Sequence, residues 1–134
     1  MSVRVLAEGQ AEGQALVLRD ALSMWGGVDP ATGIIIDARH PQCGASIAGR
    51  VLVMPAVRGS SSSSSVLAET VRAGCGPAAI LLGEPDLILA VGAAVAEELY
   101  GRRVPILHLP PAELASIVDG ARLRVAGALV TELD

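Results

Sequence analysis

The sequence predicts an α/β domain whose first half is rich in strands and turns and whose second half closes into a small parallel β/α layer. Three observations predict it. Apolar runs of four to six residues alternate with helix-like segments from position 66 onward, which is the signature of a parallel β/α layer. The first half instead carries short apolar runs separated by glycine and proline. The chain has 134 residues and is 51% hydrophobic but only 1% aromatic, with Trp25 and Tyr100 and no Phe, so its core must be built from Ala, Val, Leu and Ile. That length suits a single domain over 1–134, with no linker long enough to split it.

The elements follow in order. Val3 to Glu8 alternates and reads as a strand, Gly9 to Gly13 as a turn, and Ala15 to Leu18 as a second strand, so the pair predicts a hairpin. Ser23 to Pro30 is too glycine-rich for a regular element. Gly33 to Asp37 reads as a short buried strand ending in a carboxylate. Ala38 to Pro41 reads as a loop, because the residue before proline leaves the helical region. Ser46 to Met54 is predicted as a strand kinked at Gly49. Val66 to Ala73 is predicted as a helix closed by Gly74, followed by a strand over Ala78 to Leu82. Asp86 to Tyr100 is predicted as a helix, capped by Asp86 and stopped by Gly101. A strand over Val104 to Leu109, a short helix over Pro110 to Val118 and a strand region over Ala121 to Val130 complete the chain.

Composition excludes several functions. A net charge of −4 argues against a nucleic-acid surface. The richest apolar stretch, Ala78 to Val95, is interrupted by Glu84, Pro85 and Asp86, so no membrane span is expected. The N-terminus has no apolar signal segment, and the cytoplasm is the expected location. Cys43 and Cys75 are far apart and form no CxxC pair. They are expected to be small buried hydrophobes, and no metal or cluster is expected to be bound by this chain alone. All ten basic residues are arginine, a bias of GC-rich genomes rather than of mechanism.

The chemistry-bearing segment is the run Ser60 to Ser65, preceded by Arg58-Gly59. It lies between an apolar strand and the start of a helix. Such a turn concentrates backbone N–H groups and hydroxyls at the positive end of a helix, where the oxygen of a carboxylate or phosphate is stabilised. Serine runs also serve as flexible linkers. Apolar segments on both sides set this one apart. Arg58 reads either as an anion-binding guanidinium or as a surface charge. His40, in a loop after a strand, reads as a substrate-binding or proton-transfer group or as a ring bonded to its own turn. Asp37 orients His40 or caps the strand end. His108 reads as structural, and Glu97 and Glu98 as a solvated face.

These segments occur together in a specific order. Trp25-Gly26-Gly27-Val28-Asp29-Pro30, Gly33 to Asp37, His40-Pro41, Gly44, Gly49 to Pro55, Arg58 to Ser63, Val66 to Glu69, Gly92 to Leu99 and Val104-Pro105 resemble the small subunit, or swivel domain, of the aconitase X family. The resemblance implies a swivelling β/β/α domain of aconitase type that closes over a larger subunit. That large subunit is expected to carry iron or an iron–sulfur cluster. It implies a hydro-lyase acting on a small hydroxy acid, mevalonate 5-phosphate in an archaeal branch and cis-3-hydroxy-L-proline in a bacterial one. In aconitases proper, the first serine of a Gly-Ser-Ser-Arg turn is the base. Gly59-Ser60-Ser61 is similar, except that the arginine, Arg58, precedes the glycine. The expectation is therefore Ser60 as catalytic base, with Arg58, Gly59, Ser61, Ser62 and His40 binding substrate. The alternative is a non-catalytic phosphate- or carboxylate-binding or regulatory domain with the same fold.

Overall fold

The computed structural model describes residues 3–57 and 62–133. Among them are seven strands, β1 (Arg4–Ala7), β2 (Gln10–Val17), β3 (Val51–Met54), β4 (Ala79–Leu82), β5 (Ile106–His108), β6 (Arg122–Ala126) and β7 (Leu129–Glu132). The helices are α1 (Met24–Gly27), α2 (Ser63–Arg72), α3 (Leu87–Tyr100) and α4 (Pro111–Ala115). The strands form one sheet in the order β1-β5-β4-β3-β2-β6-β7. Its centre, β2 to β5, is parallel, and antiparallel strands close both edges.

Every residue of β3 and of β4 is buried. A strand buried on both faces needs continuous apolar sequence, which Val51-Leu52-Val53-Met54 and Ala79-Ile80-Leu81-Leu82 supply. Alternation along each strand divides these side chains between two cores. Leu52, Met54, Ile80 and Leu82 meet Leu67 of α2 and Leu89 of α3. Val51, Val53, Ala79 and Leu81 meet Leu123 and Val125 of β6 on the opposite face.

Strand β2 joins the two layers. Its first half pairs antiparallel with β6, Gln10 opposite Ala126 through Gln14 opposite Arg122. Its second half pairs parallel with β3, Ala15 opposite Val51 through Val17 opposite Val53. The expected turn over Gly9 to Gly13 is thus mostly strand. Polar, half-exposed residues hid it in sequence, because a cross-strand partner holds it there rather than its own propensity. The expected hairpin does not form either. Strand β1 pairs with β5 at the far edge, Arg4 opposite His108, since β2 has both of its edges occupied.

Other expectations shift in their bounds. Gly33 to Asp37 is no regular strand: Ile35 is buried, Ile34 and Ile36 are exposed, and only isolated bridges tie Ile35 to Val28 and Ile34 to Ser46. The strand expected from Ser46 begins at Val51, after Gly49 turns the chain with φ +66°. The region from Ala121 splits into the antiparallel pair β6 and β7. Helix α3 matches its expected bounds. The Asp86 carboxylate accepts the Leu89 N–H at 2.8 Å, and Gly101 closes the helix in the left-handed region at φ +66°.

Helix α2 lies against α3 at close range. A Cβ on Gly92 would stand 2.7 Å from the Ser64 carbonyl oxygen and 3.0 Å from its Cα. Gly92→Ala is therefore expected to destabilise the protein. A backbone clash of about 1–3 kcal/mol exceeds the helix-propensity gain of about 1 kcal/mol. A thermal melt lowered by several degrees is the expected readout, and an unchanged or raised midpoint would refute the contact.

Candidate functional site

The site is built where β3 gives way to α2. After Met54 the chain runs through Pro55 and Ala56 to Val57, which makes a parallel bridge to Leu22 and so prolongs the β2–β3 pairing beyond the sheet. The chain is next described at Ser62, the N-cap of α2. Arg58, Gly59, Ser60 and Ser61, four of the six residues expected to form the site, lie outside the described residues.

Helix α2 starts at Ser63, three residues before the expected Val66, so half of the serine run belongs to its first turn. Serine's low helix propensity hides such a start in sequence. The first N–H groups of a helix have no acceptors within it and form its positive end. Ser62 and Ser65 are exposed and Ser63 is buried. The Ser63 hydroxyl is the one buried side-chain polar atom without a hydrogen-bond partner among the described residues.

Ser62, Ser65, Val66 and Glu69 line one wall of an open depression, and Trp25 and Pro30 line the other. Trp25 is 59% exposed. Helix α1 that carries it is a single distorted turn, with Trp25 and Gly26 outside helical geometry. In the sequence Trp25 belongs to a motif but carries no expected role. Its signal was a large aromatic in a glycine-rich segment with no apolar periodicity to bury it. Glu69 forms an exposed ion pair with Arg72 three residues on. Hydrogen bonding from that guanidinium holds the Glu69 carboxyl below its usual range.

His40 is buried in the connection between β2 and β3. Its Nδ1 accepts the Gln42 N–H at 3.1 Å, so Nε2 is the protonated nitrogen and donates to the Asp20 carbonyl at 3.1 Å. Gln42 in turn donates to the Val17 carbonyl at 2.6 Å and accepts the Arg19 N–H at 2.9 Å. The ring expected to bind substrate thus has both nitrogens engaged by backbone and ties its loop to the end of β2. The Asp37 carboxylate accepts from the Arg39 N–H and caps its own turn. His108 Nε2 lies 3.2 Å from the Gly83 carbonyl, and Glu97 pairs with Arg103.

Cys75 is buried, with its thiol directed to the Pro30 carbonyl at 3.4 Å, and burial pushes that thiol up. Cys43 is exposed, contrary to the expectation that both cysteines are buried. Among the described residues no three of His, Cys, Asp and Glu come together as a metal-binding group. The described residues therefore offer no ligand set for an iron or iron–sulfur centre. No described helix is long and apolar enough to cross a membrane.

The model of the Aconitase X swivel domain matches residues 1–131. This chain belongs to that family. The swivel domain superimposes on the crystal structure of Thermococcus kodakaraensis aconitase X in its holo-form with a TM-score of 0.87, at 33% identity and with full coverage of both chains. It is 53% identical over 106 residues to a cis-3-hydroxy-L-proline dehydratase of Pseudomonas aeruginosa, covering 79% of this chain and 18% of that protein. It is 37% identical over 126 residues to the phosphomevalonate dehydratase small subunit of Methanosarcina acetivorans, covering 93% of this chain and 83% of that one. The chain spans about a fifth of the length of two such hydroxyproline dehydratases, 18% and 21%.

The orphaned hydroxyl gives a direct test of the geometry at the helix start. Ser63→Ala removes a buried polar group that makes no hydrogen bond, so it is expected to leave stability unchanged or raise it by up to about 1 kcal/mol. A fall of more than that in chemical denaturation would show that the hydroxyl is satisfied in solution.

Proposed function

We propose that this chain is the small subunit of a heteromeric hydro-lyase, closing over a large aconitase X-type subunit to dehydrate a small hydroxy acid. The observation that carries the reading is the start of α2 within the serine run, at the end of the parallel centre of a mixed sheet of aconitase X swivel type. Cis-3-hydroxy-L-proline is the favoured substrate and mevalonate 5-phosphate the second. Support for that order comes from the 53% identity to the Pseudomonas aeruginosa hydroxyproline enzyme, against 36–43% to phosphomevalonate dehydratase small subunits.

In this reading Ser60 takes the proton from the carbon beside the substrate carboxylate, the hydroxyl leaves the neighbouring carbon with its bonding electrons as a double bond forms, and the proton held by Ser60 is returned to it to give water. A serine alkoxide requires cations or N–H groups nearby to lower the cost of its charge. The positive end of α2 supplies the second, and Arg58 the first. Arg58, Gly59, Ser61 and Ser62 hold the carboxylate through charge-assisted and backbone hydrogen bonds. His40 acts by holding its loop against the end of β2. Iron or an iron–sulfur cluster is assigned to the large subunit. A cytoplasmic location is part of the same proposal.

The test is reconstitution. The purified chain alone is expected to contain no stoichiometric iron and to dehydrate neither substrate, and the complex with its large subunit to turn over one of them. Turnover by the isolated chain, or none by the complex, would refute the reading.

Two substitutions test the roles. Ser60→Ala is expected to lower the complex's turnover by about 10²–10⁴-fold without loss of assembly. If Ser61→Ala or Ser62→Ala is the inactive variant instead, the base is that neighbour. Arg58→Ala is expected to raise KM by about 30-fold, on the order of 2 kcal/mol of a charge-assisted bond, with its melting temperature unchanged. An unchanged KM beside a large fall in melting temperature would assign Arg58 to structure.

A further inference from the structure

Trp25 stands where the fold has no use for its ring. Met24 beside it is fully buried and anchors α1, while Trp25 is 59% exposed. It is the chain's one tryptophan. An indole left in water forgoes the burial that a core position would give it. Pro30 shares its wall of the depression, and the turn that carries Pro30 is fastened from several directions. The Pro30 carbonyl accepts the Cys75 thiol at 3.4 Å, the Asp29 carboxylate accepts the Ala31 N–H at 3.0 Å, and the Ile47 N–H donates to the Gly33 carbonyl at 2.8 Å. A Cβ on Gly33 would stand 2.6 Å from the Cys75 carbonyl oxygen. Cys75 itself donates its N–H to the Thr70 carbonyl of α2 at 2.9 Å. Both walls of the depression are therefore built on one packed unit, and their spacing is fixed before any ligand arrives.

The depression has a volume of about 430 Å³, within the range of small-molecule sites. A small hydroxy acid has two unlike sides. Its carboxylate and hydroxyl need charge and hydrogen bonds, whereas the carbon skeleton that does not react needs an apolar surface. The serine run serves the first. Trp25 and Pro30, across the depression from Ser62 and Ser65, serve the second. An indole suits that task because its flat face covers much area at the cost of two torsions. Its π electrons also attract C–H groups made positive by a neighbouring ammonium, as those of a proline ring are. Glu69 is engaged by Arg72, so among the described lining residues the indole face is the group left to meet a cation. An anchor for a second protein has a different setting, an apolar patch that is polar only at its rim. Three of the six residues that line this depression are serine or glutamate.

We propose that Trp25 is a substrate-contacting residue, whose indole face packs on the non-reacting carbon skeleton of the hydroxy acid while the serine run holds its carboxylate. For cis-3-hydroxy-L-proline that skeleton is the pyrrolidine ring with its cationic nitrogen. This role rests on the hydro-lyase reading proposed above. The ring carbons it covers keep their bonds throughout the dehydration, so the contact is equally strong in the bound substrate and in the transition state. It governs binding rather than the chemical step.

Steady-state kinetics of the complex with the large subunit test this. Trp25→Ala is expected to raise KM by about 10-fold while kcat changes by less than about threefold. Trp25→Phe keeps an aromatic face and is expected to recover most of that loss. The ring is mostly exposed, so both variants are expected to keep the melting temperature and to co-elute with the large subunit. An unchanged KM in the alanine variant overturns the proposal, as does a phenylalanine variant no better than alanine. Loss of co-elution would make Trp25 an anchor for the large subunit, and a large fall in melting temperature would make it structural; either overturns the proposal. The two readings fail separately. A wild-type complex that dehydrates neither substrate refutes the hydro-lyase reading and this role with it. A complex active on one substrate but indifferent to Trp25→Ala refutes the role alone.

Discussion

Burial of β3 and β4 on both faces is the constraint on which the rest of the structure depends. Two four-residue strands with no solvent-facing side chain cannot exist without a cover on each side. Helices α2 and α3 cover one face together with the long connection between β2 and β3, and the antiparallel pair β6–β7 curls over the other. A core without Phe and with its one Trp largely exposed fills these spaces with aliphatic side chains. Such small residues permit close approach, and Gly92 against Ser64 is the closest instance between helices.

That layering places the chemistry. Because β3 must run straight into the floor of both cores, the chain leaving Met54 emerges at the end of the sheet and has to turn back to lay α2 over it. The start of α2 is thereby held at the sheet's end by Leu67 beneath and by α3 alongside. The connection after β2 is tied to the same end through Gln42, His40 and the Leu22–Val57 bridge. Rigid backing on one side with open solvent on the other is the arrangement a domain needs if it is to close over a larger body. The exposed Trp25 marks a surface that the fold itself leaves uncovered.

His40 illustrates how a residue type misleads when its partners are unknown. In sequence, a histidine between arginine and proline after an apolar run carries no sign of what its nitrogens meet. In three dimensions a carbonyl twenty residues earlier and an amide two residues later occupy both. The same holds for the hairpin expected of β1 and β2. Adjacency in sequence suggested it, but β5 lacked a neighbour on its outer edge and β1 supplies one.

Local physical chemistry determined much of this protein without reference to any fold. Asp86 and Gly101 delimit α3 because capping and left-handed backbone are properties of a few neighbouring residues. The apolar runs of β3 and β4 declare two-sided burial. Tertiary structure alone decided three matters: that polar Gln10 to Gln14 is strand, that the helix begins inside the serine run at Ser63, and that Trp25 stands beside it. Each depends on a partner distant in sequence, β6 for the strand, α3 for the helix start and α2 for the tryptophan. Pairing energies between remote segments leave no periodicity in either one to be read in advance.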